Sequence, residues 1–161
     1  MRLGELTGLW WKHVDLDEAV LNVEQQHTLI GTIEPPKTKA GIRRVPLTNE
    51  MVSFFRELKL RSRFSRPEDF VFSSENGTAL QHSNIRRRAS EPARDLADLP
   101  EALRFHDLRH AFASRAAHKG VPINVLSAAL GHADVGVTTK VYVHLYASEA
   151  AEDAFRKAMT S

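Results

Sequence analysis

Strand-forming runs in this sequence end by residue 47, and from about residue 83 onward the apolar spacing is helical. Residues 19–26 and 28–34 are rich in Val, Leu, Ile and Thr and predict two strands. Pro35 and Pro36 end the second, because proline offers no N–H to a ladder. Arg43, Arg44, Val45, Pro46 and Leu47 predict a third. Residues 3–11 predict a short helix with Leu3, Leu6, Leu9 and Trp10 on one face. Thr48 is placed to cap a helix over about 49–61, with Met51, Phe54, Phe55 and Leu58 on its buried face. Phe70, Val71 and Phe72 form a short apolar piece, and Asn76-Gly77 signals a turn. Further helices are expected over about 83–95, 106–119, 123–130, 138–145 and 148–159. Gly120 and Gly131 stand where a left-handed C-cap is wanted, and Pro122 suits the first turn of the next helix. The fold class is therefore mixed α+β, mainly α: a small antiparallel three-stranded sheet near the N-terminus, followed by a helical bundle.

At 161 residues, with no internal repeat or long linker, the chain fits one domain. It has no cysteine, so disulfides and thiolate metal sites are excluded. No apolar stretch is long enough to span a bilayer, and Met1-Arg2-Leu3-Gly4-Glu5 does not read as a signal peptide, so a cytoplasmic location is expected. The net charge is only +2, but basic residues cluster. Lys59, Arg61, Arg63 and Arg66 lie close together, Arg86, Arg87 and Arg88 are consecutive, and Arg104, Arg109, Arg115 and Lys119 follow. Such clusters can neutralise phosphates, although any one of them taken alone reads more readily as a solvated helix face.

Four segments carry chemistry-bearing residues in order. They are Arg2-Leu3-Gly4-Glu5-Leu6-Thr7-Gly8-Leu9, then Pro36-Lys37-Thr38-Lys39-Ala40-Gly41-Ile42-Arg43-Arg44-Val45-Pro46-Leu47, then Phe105-His106-Asp107-Leu108-Arg109-His110-Ala111-Phe112-Ala113. The fourth runs Leu130-Gly131-His132 and, after a gap, Thr138-Thr139-Lys140-Val141-Tyr142-Val143-His144. Together they resemble the signature boxes of the tyrosine recombinase (phage integrase) family over essentially the whole chain. His-x-x-Arg alone would mean little. Followed by Leu-Gly-His and then Thr-Thr-x-x-Tyr-x-His, it is specific.

The resemblance implies a catalytic domain for site-specific DNA cutting and rejoining, with catalytic residues Arg2, Lys39, His106, Arg109, His132 and Tyr142. The residue types suit that chemistry. The Tyr142 phenol can form a covalent 3′-phosphotyrosine, and the planar guanidinium forks of Arg2 and Arg109 match phosphate oxygens. His106 and His132 can donate to phosphate or shuttle a proton, and Lys39 can protonate the departing 5′ oxygen. Lys37 rivals Lys39 on the same hairpin, since both fall at even offsets. Tyr146, the other tyrosine, rivals Tyr142. Glu5 reads as a structural residue, capping or pairing within its helix, and His110 as packing or support, with His144 likewise supporting. The segment from Ala133 to Val137 is one residue longer than the commonest family spacing.

The resemblance implies no cofactor, double-stranded DNA as partner, and self-association on DNA. It also implies that residues 1–161 are a catalytic domain incomplete at its N-terminus, with the DNA-clamping core-binding domain absent. Two rival functions remain. One is an inactive DNA-binding remnant of an integrase. The other is a metal-dependent hydrolase using His106 and His110, whose i, i+4 spacing suits zinc but lacks a convincing third ligand. Residues 148–159 predict an amphipathic helix capped by Ser148, with an apolar stripe of Ala151, Phe155 and Met159 that suits docking on a neighbouring protomer or on its own domain.

Overall fold

A computed structural model describes residues 1–143 together with Arg156 and Met159. Its elements in order are α1 (Leu3–Thr7), β1 (Val14–Asp15), β2 (Val20–Val23), β3 (Gln26–His27), β4 (Ile33–Glu34), β5 (Arg43–Pro46) and α2 (Asn49–Arg61). There follow α3 (His82–Ile85), α4 (Glu91–Leu96), α5 (Phe105–His118), α6 (Ile123–Leu130) and α7 (Val135–Tyr142). The fold is mixed α+β and mainly helical.

The three-stranded sheet is antiparallel, in the order β1-β2-β5. Its strands differ from those expected. The segment 28–34 does not join the sheet but folds into a separate hairpin, β3 with β4. Gly31 adopts φ 91° there, and the Thr28 N–H donates to the Thr32 carbonyl at 2.9 Å. A left-handed glycine breaks the run that its Thr and Ile neighbours would otherwise extend. Leu29 and Ile30 are left exposed at the tip. The vacant place in the sheet goes to Val14–Asp15, which pairs Val14 with Leu21.

Helix α2 has the expected bounds, and the Thr48 hydroxyl accepts from the Met51 N–H. Its buried face keeps the expected Phe55 and, in part, Leu58, but is rotated towards Val52. Val52 and Phe55 enter the core, whereas Met51 and Phe54 are exposed. The difference lies in what the helix covers: Val52 and Phe55 close over Leu9, Trp11, Val14, Leu21, Leu47 and Val71. In the first helix, too, the side chains sealed inside are Glu5 and Thr7 rather than Leu3 and Leu6.

The helix expected over 83–95 is present as one helical run in which α3 and α4 are joined by a π turn at Arg86–Ser90. Pro92 lacks an N–H and its ring crowds the preceding turn, so the ladder widens there. Helices α5, α6 and α7 enclose a second core of Ala113, Ala117, Leu126, Leu130 and Tyr142. The expected helix over 148–159 lies outside the described residues except for Arg156 and Met159, which are helical and exposed. No helix among the described residues is long and apolar enough to cross a membrane.

Candidate active site

Helix α6 ends at Gly131 in the left-handed conformation, φ 68° and ψ 42°. The last carbonyls of any helix have no partner within it. Here three guanidinium groups take three consecutive ones. Arg43 Nε donates to the Ala129 carbonyl at 2.9 Å, Arg109 Nη2 to that of Leu130, and Arg2 Nη2 to that of Gly131 at 3.4 Å. The partial negative charge at a helix C-terminus favours cations there. Side chains from the N-cap of α1, from β5 and from α5 thus meet at one helix end. Gly131 makes this approach possible: a Cβ there would lie 2.8 Å from Arg43 Nη1 and 3.0 Å from the Ala40 carbonyl.

Glu5 is the counter-charge at the centre. Arg43 holds both its carboxylate oxygens, at 3.1 and 2.8 Å, and Arg2 donates to it through Nη1 at 2.9 Å and its backbone N–H at 2.7 Å. Burial alone would raise the Glu5 pKa. The hydrogen bond from Arg43 and the backbone hydrogen bond from Arg2 outweigh it and bring the carboxyl from 4.5 to about 2. The structural reading of Glu5 from sequence therefore holds within its helix and extends well beyond it.

Arg109 is buried, and its Nη1 has no hydrogen-bond partner among the described residues. Burial and the neighbouring Arg2 charge lower its pKa to about 10. A buried guanidinium with an unused N–H beside a second guanidinium is a site for an anion. His132 follows the two carbonyls that Arg109 and Arg2 hold, and its Nδ1 lies 2.8 Å from Thr138 Oγ1. Burial, then the charges of Arg109 and Arg2, keep the His132 pKa below its usual value. His106, one turn before His110 on α5, is likewise lowered by burial, then by His110 and Arg109. Burial and the neighbouring positive charge thus disfavour the imidazolium form of both.

Tyr142 closes the second core at 3% exposure. Burial raises its pKa, against the pull of Arg109. Its hydroxyl lies 2.7 Å from His110 Nδ1. Tyr146 and His144 lie outside the described residues. Lys37 and Lys39 are both exposed, and no hydrogen bond among the described residues fixes either ammonium group. Their loop leans on the site through the Ala40 carbonyl above Gly131. His106 and His110 are joined by no third ligand in a metal-binding group among the described residues.

The sequence points to Arg2, Lys39, His106, Arg109, His132 and Tyr142; the fold gathers all but Lys39 around the junction of α5, α6 and α7 with the N-cap of α1, and leaves Lys39 exposed on its loop. His110, read from sequence as packing or support, lies against the Tyr142 hydroxyl, and Arg43 was missed. A signal for Arg43 existed: alternation along β5 puts it on the same side as Val45, facing in, with Arg44 and Pro46 out.

The chain matches the family model described as "Phage integrase family" over residues 1–149. It is 30% identical over 168 residues to a protein named tyrosine recombinase XerC-like from Caldanaerobacter subterraneus subsp. tengcongensis, covering 90% of this chain and 42% of that protein. It is 29% identical over 172 residues to the ICEBs1 integrase of Bacillus subtilis, covering 96% of this chain and 44% of that one. The chain thus spans less than half the length of these relatives. The integrase of transposon Tn1549, solved in complex with circular intermediate DNA, superposes with TM-score 0.80 at 25% identity, covering 99% of this chain and 56% of that one. The XerA recombinase superposes with TM-score 0.69 at 26% identity, covering 99% and 52%.

Proposed function

This chain belongs to the phage integrase family of tyrosine recombinases, and from that membership we propose that it is the catalytic domain of a site-specific recombinase. It cuts and rejoins double-stranded DNA through a 3′-phosphotyrosine on Tyr142. The observation that carries this reading is the unsatisfied Nη1 of buried Arg109 beside Arg2, with Tyr142 packed against the same helix. The buried cation with a free donor suits a non-bridging phosphate oxygen, and the two guanidiniums together would stabilise the crowded charge of the pentacoordinate transition state. His106 and His132 donate to the phosphate, and Lys39 protonates the departing 5′ oxygen. The reaction as assigned calls on no cofactor, since the phosphotyrosine conserves the bond energy.

The relatives include integrases of mobile elements and one solved on DNA, which supports duplex DNA as the partner. Cytoplasmic action and self-association on DNA follow from the same reading. A nicked duplex tests it, because the short 5′ strand diffuses away and leaves the covalent complex trapped. Wild-type protein should form a covalent protein–DNA complex, and Tyr142→Phe should abolish it while retaining DNA binding. Tyr146→Phe should leave it intact. A complex that survives Tyr142→Phe would overturn the assignment.

A further inference from the structure

We infer that His110 is the proton acceptor for Tyr142 and returns the proton when the strands rejoin. The inference rests on the reading of Tyr142 as nucleophile. A phenol with an ordinary pKa near 10 is about 0.1% ionised at pH 7. Tyr142 is buried as well, so without a base its hydroxyl is a poor nucleophile. A general base must lie within hydrogen-bond reach of the proton it takes. His110 Nδ1 meets this requirement at 2.7 Å from the hydroxyl.

The surroundings suit the role. The ring centroids of His110 and Tyr142 are 6.2 Å apart, and α5 and α7 hold them 32 residues apart in sequence. His110 is exposed while Tyr142 is sealed, so a proton taken at Nδ1 has a route to solvent through the opposite ring edge. The titratable groups facing His110 are His106, whose ring centroid is 5.0 Å away, His132 and Tyr142 itself. His132 is less suited as the base for Tyr142, because its Nδ1 is engaged by Thr138.

In the cleavage step the Tyr142 oxygen bonds to phosphorus and the bond from phosphorus to the 5′ oxygen breaks. The phenol proton passes to His110 Nδ1, and the 5′ oxygen takes a separate proton from the general acid. His110, neutral and protonated at Nε2 beforehand, becomes an imidazolium. In rejoining, the 5′ hydroxyl returns its proton to the conjugate base of the general acid and bonds to phosphorus, the bond from phosphorus to the Tyr142 oxygen breaks, and His110 gives its proton back to the leaving phenolate.

Two measurements test this. In the folded chain, nitrogen-detected NMR of labelled histidines, assigned with His110→Gln, should show His110 as the Nε2–H tautomer near neutral pH. Its Nδ1 resonance should shift in Tyr142→Phe. An Nδ1–H tautomer would overturn the inference without reference to catalysis. On the nicked duplex, His110→Ala in the full chain should slow covalent complex formation about 10²–10⁴-fold with DNA binding kept, and added imidazole should restore part of the rate. His110→Asn still accepts a hydrogen bond but takes no proton, so it should be as slow. Recovery in His110→Asn to within about threefold of wild type would reduce His110 to a positioning residue and overturn the inference. If Tyr142→Phe still forms the complex, the nucleophile assignment itself has failed. If Tyr142→Phe loses it while His110→Ala cleaves at the wild-type rate, only the role of His110 has.

Discussion

Arg43 grips both carboxylate oxygens of Glu5, at 3.1 and 2.8 Å, across 38 residues of sequence. The side chains are 6% and 2% exposed, so neither charge has water as an alternative partner. Removing one member of such a pair strands the other, at a cost of about 3–5 kcal/mol. Glu5→Gln, which leaves Arg43 with carbonyls alone, is expected to lower stability by about that amount in urea unfolding, and Arg43→Met by less, because Glu5 keeps Arg2. The double variant should lose much less than the two losses added, because the stranded charge is gone. Strict additivity would show that the pair is not coupled.

The same carboxyl sets a pH dependence. Glu5 falls from 4.5 to about 2 on folding, a shift worth about 3 kcal/mol. A carboxyl whose pKa is depressed stabilises the fold while ionised. That stabilisation is complete above about pH 4.5 and is lost as the pH drops towards 2. Unfolding free energies for wild type should therefore fall through that window, and Glu5→Gln should flatten that part of the slope.

Gly131→Ala is expected to destabilise the chain by more than the roughly 1–2 kcal/mol of a left-handed L-residue alone. The added methyl would press on Arg43 Nη1 at 2.8 Å and the Ala40 carbonyl at 3.0 Å. Thermal unfolding measures the loss. Gly120→Ala is the control, since it shares the left-handed geometry with nothing within 4 Å of the new Cβ. Equal losses in the two variants would show that the crowding at Gly131 contributes nothing.

Lys39 and Lys37 separate by leaving-group chemistry. A substrate with sulfur in place of the bridging 5′ oxygen departs as a thiolate and needs no acid. Lys39→Ala should cleave the ordinary substrate about 10²–10⁴-fold slower and the sulfur substrate at nearly the wild-type rate. Rescue of Lys37→Ala instead would move the role to Lys37.

Arg86, Arg87 and Arg88 are exposed in the π turn between α3 and α4. If Arg87 and Arg88 each meet a phosphate, replacing both with Ala should reduce the slope of log affinity against log salt by about 0.9 for each phosphate no longer neutralised. An unchanged slope would mark them as a solvated face.

Locally determined features were readable in the sequence. Thr48 fixed the start of α2, and the glycine after α6 fixed its end, because a cap depends on a few neighbouring residues. The rotation of α2 was not readable, since Met51 and Val52 are equally apolar and only the core beneath decides between them. The hairpin at Gly31 was hidden by the β-branched residues around it. Among the site residues, those in signature spacing were legible. Arg43 was not, and for His110 only a supporting place was read and not its partner, because their contacts with Glu5 and Tyr142 lie far away along the chain.

The two guanidiniums proposed to grip phosphate are both moored to the end of one helix, at adjacent residues 130 and 131. A rocking of α6 would carry both heads the same way. Their spacing is thereby insulated from the largest motions of the bundle: jitter common to both cancels from the distance between them. The precision of such a cradle is set by the stiffness of one helical turn rather than by the rigidity of the whole domain.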